Sequence, residues 1–211
     1  MPQDRIPLFP LGVVLFPGTL LPLHIFEERY KEMIGEAIAN NSEFGVVLAN
    51  EKGLSKVGCT AVVEKVIEKY PDGRRDILTR GRRRFEILFL HEERSFLEAT
   101  VGAYEDEDFS PADIADREGV MRESAILNIL RNDGVAVGPL PDEAHPLLSY
   151  LIADDIEEVA FRQRILMARG EAERIKLLLN FLPQYSERLQ AEKQMKRLAP
   201  LNGYGKHFYK A

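Results

Sequence analysis

Three features of the sequence predict an α+β fold. Between residues 44 and 104, short runs rich in Val, Ile and Phe are separated by turn residues, the mark of antiparallel strands. From residue 113 onward, apolar side chains recur at three- and four-residue spacing, the helical period. Between the two lies Glu105-Asp106-Glu107-Asp108-Phe109-Ser110-Pro111, acidic and then closed by Ser-Pro, which reads as a linker and helix entry. The expected organisation is a β subdomain over residues 1–110, a helical bundle over 111–198 and a tail over 199–211.

The chain opens on residues 6–30, IPLFPLGVVLFPGTLLPLHIFEERY. Prolines at 7, 10, 17 and 22 fix φ and remove donors, so the stretch cannot form one continuous helix or a central strand. Its apolar residues still need burial. Short extended pieces, a turn at Pro17-Gly18 and entry into a helix near Phe26 satisfy both demands. Residues 27–40 follow as that helix, with Tyr30, Met33, Ile34, Ala37 and Ile38 on one face and Asn40-Asn41-Ser42 as the exit. Residues 44–49 (FGVVLA) read as a short buried strand, and residues 59–70 alternate as a strand with one wet face. Pro71-Asp72-Gly73 is a hairpin turn. The return strand starts at residues 76–79, bends or bulges at Gly81 and resumes as another strand at 84–91; residues 96–104 close the series. Strands so short and closely spaced suggest a small barrel or sandwich.

In the second half, residues 113–131 place Ile114, Val120, Met121, Ala125, Leu127, Ile129 and Leu130 on a broad apolar face. A Gly- and Pro-rich break at 132–141 precedes a short helix at 142–153, with Pro146 tolerated in its first turn. A third helix spans 156–169 with Gly170 as its C′ residue. A fourth covers 171–182, and Pro183 either kinks it or starts a fifth running to about Leu198.

The 211 residues are 45% apolar and 29% charged, ordinary for a globular protein, and the net charge is −6. Residues 1–105 carry 14 basic and 16 acidic side chains and the remainder 14 and 18, so neither half has the basic excess of a dedicated nucleic-acid binder. The N-terminus lacks the pattern of a signal peptide, and no apolar run approaches the ~18 residues of a membrane span. The chain therefore reads as a soluble cytoplasmic protein.

Catalytic signatures are absent. The only P-loop-like spacing, Gly53 to Gly58, is followed by Cys59-Thr60 and lacks the lysine. There is no G-x-S-x-G. The histidines at 24, 91, 145 and 207 show no metal-ligand spacing, so no metal or cofactor is expected. Cys59 with His24 or His91 could make a thiolate pair, but a lone cysteine within a strand is usually a small core hydrophobe. His24, between Leu23 and Ile25, reads as a hydrogen-bonded histidine of the core or of a domain junction. Arg80, Arg82, Arg83 and Arg84 form the one basic run. It suits an RNA backbone or, more simply, a charged sheet edge that discourages aggregation. Strand alternation would send Arg82 and Arg84 to one face and Arg83 to the other.

The opening motif PLFPLGVVLFPGTLLPLHIFEERY, Gly58-Cys59-Thr60-Ala61-Val62-Val63-Glu64, DGRRDILTRGRRRFEI, and the late stretch DDIEEVAFRQRILMARGEAERIKLLLNFL together resemble the Lon substrate-binding (LAN) domain. The likeness covers about residues 6–190. It implies a six-stranded pseudo-barrel with one helix, similar to the PUA fold, followed by a helical bundle. It also implies recognition of unfolded or damaged protein and a part in assembly, without the ATPase and Ser-Lys proteolytic modules that follow the domain in Lon proteases. The 211 residues then resemble the stand-alone Lon-domain proteins of bacteria and are expected to be non-catalytic. The expected site is an apolar groove between barrel and helices lined by Leu15, Phe16, Leu20, Leu21 and His24, with plain core packing as the competing reading for each. Unfolded or partner protein segments, among them a protease or chaperone, are the expected partners; self-association stays open.

Overall fold

The computed structural model describes residues 4–132, 141–142 and 144–198, with the backbone alone at 197 and 198. Seven strands and five helices occur among them: β1 (Asp4–Leu11), β2 (Leu20–Ile25), α1 (Glu28–Asn40), β3 (Phe44–Asn50), β4 (Gly53–Leu54), β5 (Val57–Lys69), β6 (Arg75–His91), β7 (Glu98–Ala103), α2 (Ile114–Arg131), α3 (Leu148–Asp154), α4 (Val159–Met167) and α5 (Glu171–Leu198). Six strands were expected where these residues form seven, the shortest being the two-residue β4.

The strand pairings close on themselves. β1 pairs with β7, β7 with β6, β6 with β5, β5 with β3, and β3 returns to β1. The first strand makes this possible by changing partner midway. Asp4 to Pro7 run antiparallel to β7, and Leu8 to Leu11 run parallel to β3. Its prolines, at 7 and 10, therefore do not keep it at an edge. Each neighbour is held for only four residues, so a missing N–H interrupts neither ladder for long. β2 lies off the ring and pairs with β6 alone.

Gly81 does not divide the return strand. β6 is continuous over 17 residues, but the expected bulge is there: Cys59 pairs with Arg84 and Ala61 with Gly81, which sets Arg82 and Arg83 of β6 against Thr60 alone. The glycine also serves close approach. A Cβ there would sit 2.0 Å from the Phe16 carbonyl oxygen, while the Gly81 carbonyl accepts from Gly18 N–H and its own N–H donates to Thr19 O. The opening stretch thus lies directly on the middle of β6.

The helices depart from expectation in instructive ways. α2 starts at Ile114, and its N-cap Asp113 accepts from Ala115 N–H. Only Val120, Ser124 and Leu127 of it are buried, and Ile114 and Ile129 are exposed, so the apolar face is narrower than the spacing suggested. α3 begins after Pro146, because Leu147 N–H bonds the His145 ring rather than a helical carbonyl. Gly170 is not a left-handed C′ residue. Ala168 ends α4 in an extended conformation, and Gly170 bridges in parallel to Asp108, whose carbonyl would lie 3.1 Å from a Cβ. α5 runs unbroken through Pro183 for 28 residues. The break expected at 132–141 lies mostly outside the described residues, and the tail at 199–211 wholly so.

One apolar cluster joins both halves, from Phe9, Leu15, Phe16 and Ile77 of the strand region to Leu148, Ile165 and Leu178 of the helices. Phe16 stacks on Tyr150 with ring centroids 5.4 Å apart. Two polar clamps reinforce it. Arg162 donates to Val14 O at 2.7 Å and lies over the Phe16 ring, while Gln163 Nε2 donates to Val57 O at 3.0 Å. Deeper in, Asp106 sits between two buried guanidinium groups. Arg174 reaches both its oxygens at 2.8 Å, and Arg84 bonds it while also donating to the carbonyls of Leu166 and Ala168. The side chains of Arg84 and Arg174 are only 5% and 4% exposed. Glu105 to Pro111 is therefore no free linker; it carries the anion on which two strand-to-helix contacts converge.

Burial alone would raise the pKa of Asp106, but the hydrogen bond and charge of Arg174, then of Arg84, outweigh it and hold the carboxyl below its ordinary 3.8. The unfolded chain takes up this proton first, so the contribution is complete above the ordinary carboxylate range and is lost as pH falls through the depressed value. Asp106→Asn, which leaves buried Arg84 without a carboxylate and Arg174 with Glu171 alone, should lower stability by about 3 kcal/mol at neutral pH. Denaturant titrations across pH 2–7 check both points: the wild-type advantage should shrink on acidification.

Candidate functional site

β2 presents the most orderly exposed apolar surface. Its residues alternate, with Leu20, Pro22 and His24 outward, Leu21 and Leu23 partly covered, and Ile25 buried. Phe26 continues the outward row, so that Leu20 is 42% and Phe26 60% exposed. The row exists because β2 has a partner on one side only. Gly81 donates to Thr19 O, and alternation along the antiparallel ladder then turns the backbone groups of Leu20, Pro22 and His24 away from β6. Among the described residues no second strand meets them. The open edge offers the N–H of Leu20 and His24 and three carbonyls, Pro22 having no donor. A cleft of about 190 Å³ lies beside it, between residues 9–11 of β1 and residues 23–30.

A polar strip stiffens the outer face. His24 Nδ1 lies 2.5 Å from Asp76 Oδ1, and the Tyr70 hydroxyl donates to Asp76 Oδ2 at 2.7 Å. The hydrogen bonds from Tyr70 and then His24 hold the Asp76 carboxyl below its ordinary range. The bond to Asp76 in turn pushes the Tyr70 phenol up to about 12. His24 stacks on Phe26 with ring centroids 6.0 Å apart. His24 is thus a surface residue of β2 fixed by a carboxylate, and belongs to neither the core nor a domain junction.

The expected groove between barrel and helices is filled. Leu15 and Phe16 are core residues beneath the helices, so of the five expected lining residues Leu20 and His24 face outward and Leu21 is half-buried. Phe26 was missed; it follows Ile25 in the alternation and could have been placed from that. Leu88, Phe89 and Leu90 are also exposed, a second patch hidden from sequence by the register shift between Ile87 and Phe89.

The arginine run does not form one cationic surface. Arg80 pairs with Glu64 and donates to Gly18 O, Arg83 pairs with Glu43 and Asp4, and Arg84 is buried on Asp106. Arg82 and Arg83 are both exposed and Arg84 is inside, contrary to simple alternation. β6 as a whole has neighbours on both sides, but Arg82 and Arg83 lie in its bulge, between the end of the β2 ladder at Arg80 and the start of the β7 ladder at Phe85. An RNA backbone would have to compete with carboxylates at Arg80 and Arg83. Cys59 is fully buried among apolar groups, and burial pushes its thiol up to about 12, which removes the thiolate a nucleophile needs. Among the described residues no group of His, Cys, Asp and Glu could hold a metal ion.

The sequence model described as the ATP-dependent protease La (LON) substrate-binding domain matches residues 5–184. Lon protease of Parabacteroides distasonis is 35% identical over 124 residues, 54% of this chain and 15% of that protein. Lon protease of Cytophaga hutchinsonii is 22% identical over 207 residues, 90% of this chain and 25% of that protein. The chain thus spans a quarter or less of the length of these relatives. A crystal structure of a Lon N-terminal domain protein from Xanthomonas campestris superposes with a TM-score of 0.63 at 20% identity, covering 84% of this chain and 98% of that one. The N-terminal domain of a Mycobacterium avium complex Lon protease superposes at 0.58 with 16% identity, covering 85% and 98%. At these identities the superpositions speak to fold.

Two measurements test the geometry of the site. Native Cys59 should resist thiol reagents at pH 8 and react fully once the chain is unfolded; fast native labelling would contradict its burial. In an ultraviolet pH titration, Tyr70 should ionise well above the ordinary phenol value of about 10, and Asp76→Asn should bring it back toward that value.

Proposed function

The chain belongs to the ATP-dependent protease La (LON) substrate-binding domain family, and from that premise we propose that it recognises protein, binding extended apolar segments along the outer row and open edge of β2. The observation carrying this reading is the coincidence, on one six-residue strand, of an exposed apolar row and unpaired backbone groups. An added strand takes its affinity from main-chain hydrogen bonds and its selectivity from alternate side chains. Leu20, Pro22 and Phe26 suit apolar side chains at alternate positions of the incoming segment. Unfolded proteins expose such segments and folded ones bury them, which accounts for selectivity toward non-native chains without a sequence code.

We read the closed ring of pairings as the PUA-like pseudo-barrel that the family resemblance implies, with residues 111–198 as its helical subdomain. The role is binding without catalysis: the buried thiol and the lack of a nucleotide motif support it. No described helix is long and apolar enough to cross a membrane, and we assign the protein to the cytoplasm, where a protease or chaperone would be its natural associate.

Fluorescence anisotropy with an unfolded, reduced client protein and with short apolar β-forming peptides tests the reading. The wild-type chain should bind both and should delay aggregation of the client. Leu20→Glu with Phe26→Glu should weaken binding by tenfold or more, as expected for losing one or two apolar anchors. Because both positions are exposed, the melting transition should be preserved. Absence of client binding by the wild type, or binding indifferent to the two substitutions, would overturn the assignment.

A further inference from the structure

A second surface has different chemistry. A cleft of about 440 Å³ lies where the segment after β7 enters α2, with Phe109, Pro111, Ile114, Ala144 and Pro146 among its lining. Phe109 is 81% and Ile114 70% exposed, far beyond what an isolated packing defect would leave uncovered. The twelve residues from Glu105 to Asp116 contain six carboxylates and no lysine or arginine.

This surface is rigidly held. Asp106 is anchored between Arg84 and Arg174, the amides of Glu107 and Asp108 both donate to Arg169 O, and Asp108 bridges to Gly170. The exposed phenyl ring is therefore presented from a fixed backbone, and its ordering cost is met in the fold rather than on binding. The charges are only partly compensated. Asp106 and Glu107 have arginine partners, but Asp108 is held by the Ser110 side chain and amide, which favour its ionised form; it feels Lys176 as a nearby charge and joins no salt bridge among the described residues. Glu171, already engaged by Ser149, Arg174 and Arg117, adds a carboxylate to the lining, and Arg117 is the one cation among the described lining residues.

We propose that this cleft docks a protein segment carrying a large apolar side chain flanked by lysines or arginines. The apolar residue would lie against Phe109 and Ile114, and its basic neighbours would meet Asp108 and the adjoining carboxylates. The same field repels nucleic acid and acidic segments. The site is separate in residues from the β2 row, so it adds a charge-selective contact to the apolar one and stands or falls independently of it.

The test is a titration of the full chain with three labelled peptides, Lys-Lys-Leu-Phe-Lys-Lys, its glutamate counterpart and a lysine peptide with serines in place of Leu-Phe. The basic apolar peptide should bind most tightly and weaken steeply with added salt. Phe109→Ser should reduce its affinity about tenfold, and Asp108→Lys should also weaken it while improving binding of the glutamate peptide. The Leu20→Glu, Phe26→Glu variant should bind the basic peptide as the wild type does. Circular dichroism melts confirm that the variants are folded. Equal binding of the basic and glutamate peptides, equal binding of the serine peptide, or an affinity unchanged by Phe109→Ser would each overturn the proposal.

Discussion

Two cations around one carboxylate govern how this molecule is assembled. Arg84 comes from the longest strand, Arg174 from the longest helix, and Asp106 from the segment that joins the two halves. None of the three could be buried alone, because an isolated ion in the interior costs several kcal/mol. Together with the carbonyls of Leu166 and Ala168 they satisfy one another. The strand, the joining segment, the end of α4 and the start of α5 are consequently fixed relative to each other. Tyr104 and Tyr150 complete the arrangement from the aromatic side, with Arg84 and Arg169 over the first ring and Arg174 over the second. A carboxylate pairs with guanidinium directionally, so this centre sets geometry in a way that the surrounding apolar contacts do not.

A second set of contacts transmits that order to the opening stretch. Arg162 and Gln163, adjacent in α4, reach Val14 O and Val57 O and so pin the N-terminal segment and β5 to the helices. From the other side, Gly81 admits the backbone of residues 16–19 against β6. Leu15 and Phe16 are drawn into the core by this double hold. What the opening stretch has left to show solvent is its next part, β2, whose single neighbour leaves one edge and one face uncovered.

Much of this was legible in the sequence, and the failures have physical causes. The order of strands and helices, the turn at Pro71-Asp72-Gly73 and the burial of Cys59 follow from local pattern and composition, which act over a few residues. The role of the basic run did not. Arg80, Arg83 and Arg84 each meet a different partner, at Glu64, at Glu43 and Asp4, and at Asp106, and those partners lie 16 to 79 positions away. Local spacing carries no information about them. The bulge beside Gly81 is a local feature that the sequence does signal, but the room that Gly81 and Gly170 each make for the backbone of another segment is not. The residues of the β2 row were only partly foreseen, because alternation says which side chains share a face but not which face the rest of the chain will cover.

Exposing an apolar strand edge invites self-association as readily as recognition, and the composition of β2 bears on that conflict. Pro22 removes one donor from the middle of the open edge, so a flat intermolecular sheet cannot propagate along it with an unbroken ladder. The His24–Asp76–Tyr70 strip keeps one end of the face polar, and Arg80 with Glu64 does the same beside Leu20. An incoming segment can still use the donors of Leu20 and His24, but it gains only a short ladder and must add apolar side-chain contacts to be held. Such a balance favours binding that is weak per site and reversible, as the proposed recognition of many different non-native chains would require. It would also make a second contact valuable. The proposed charge-selective cleft, elsewhere on the same scaffold, would raise the effective affinity for segments that satisfy both, without making either surface more adhesive by itself.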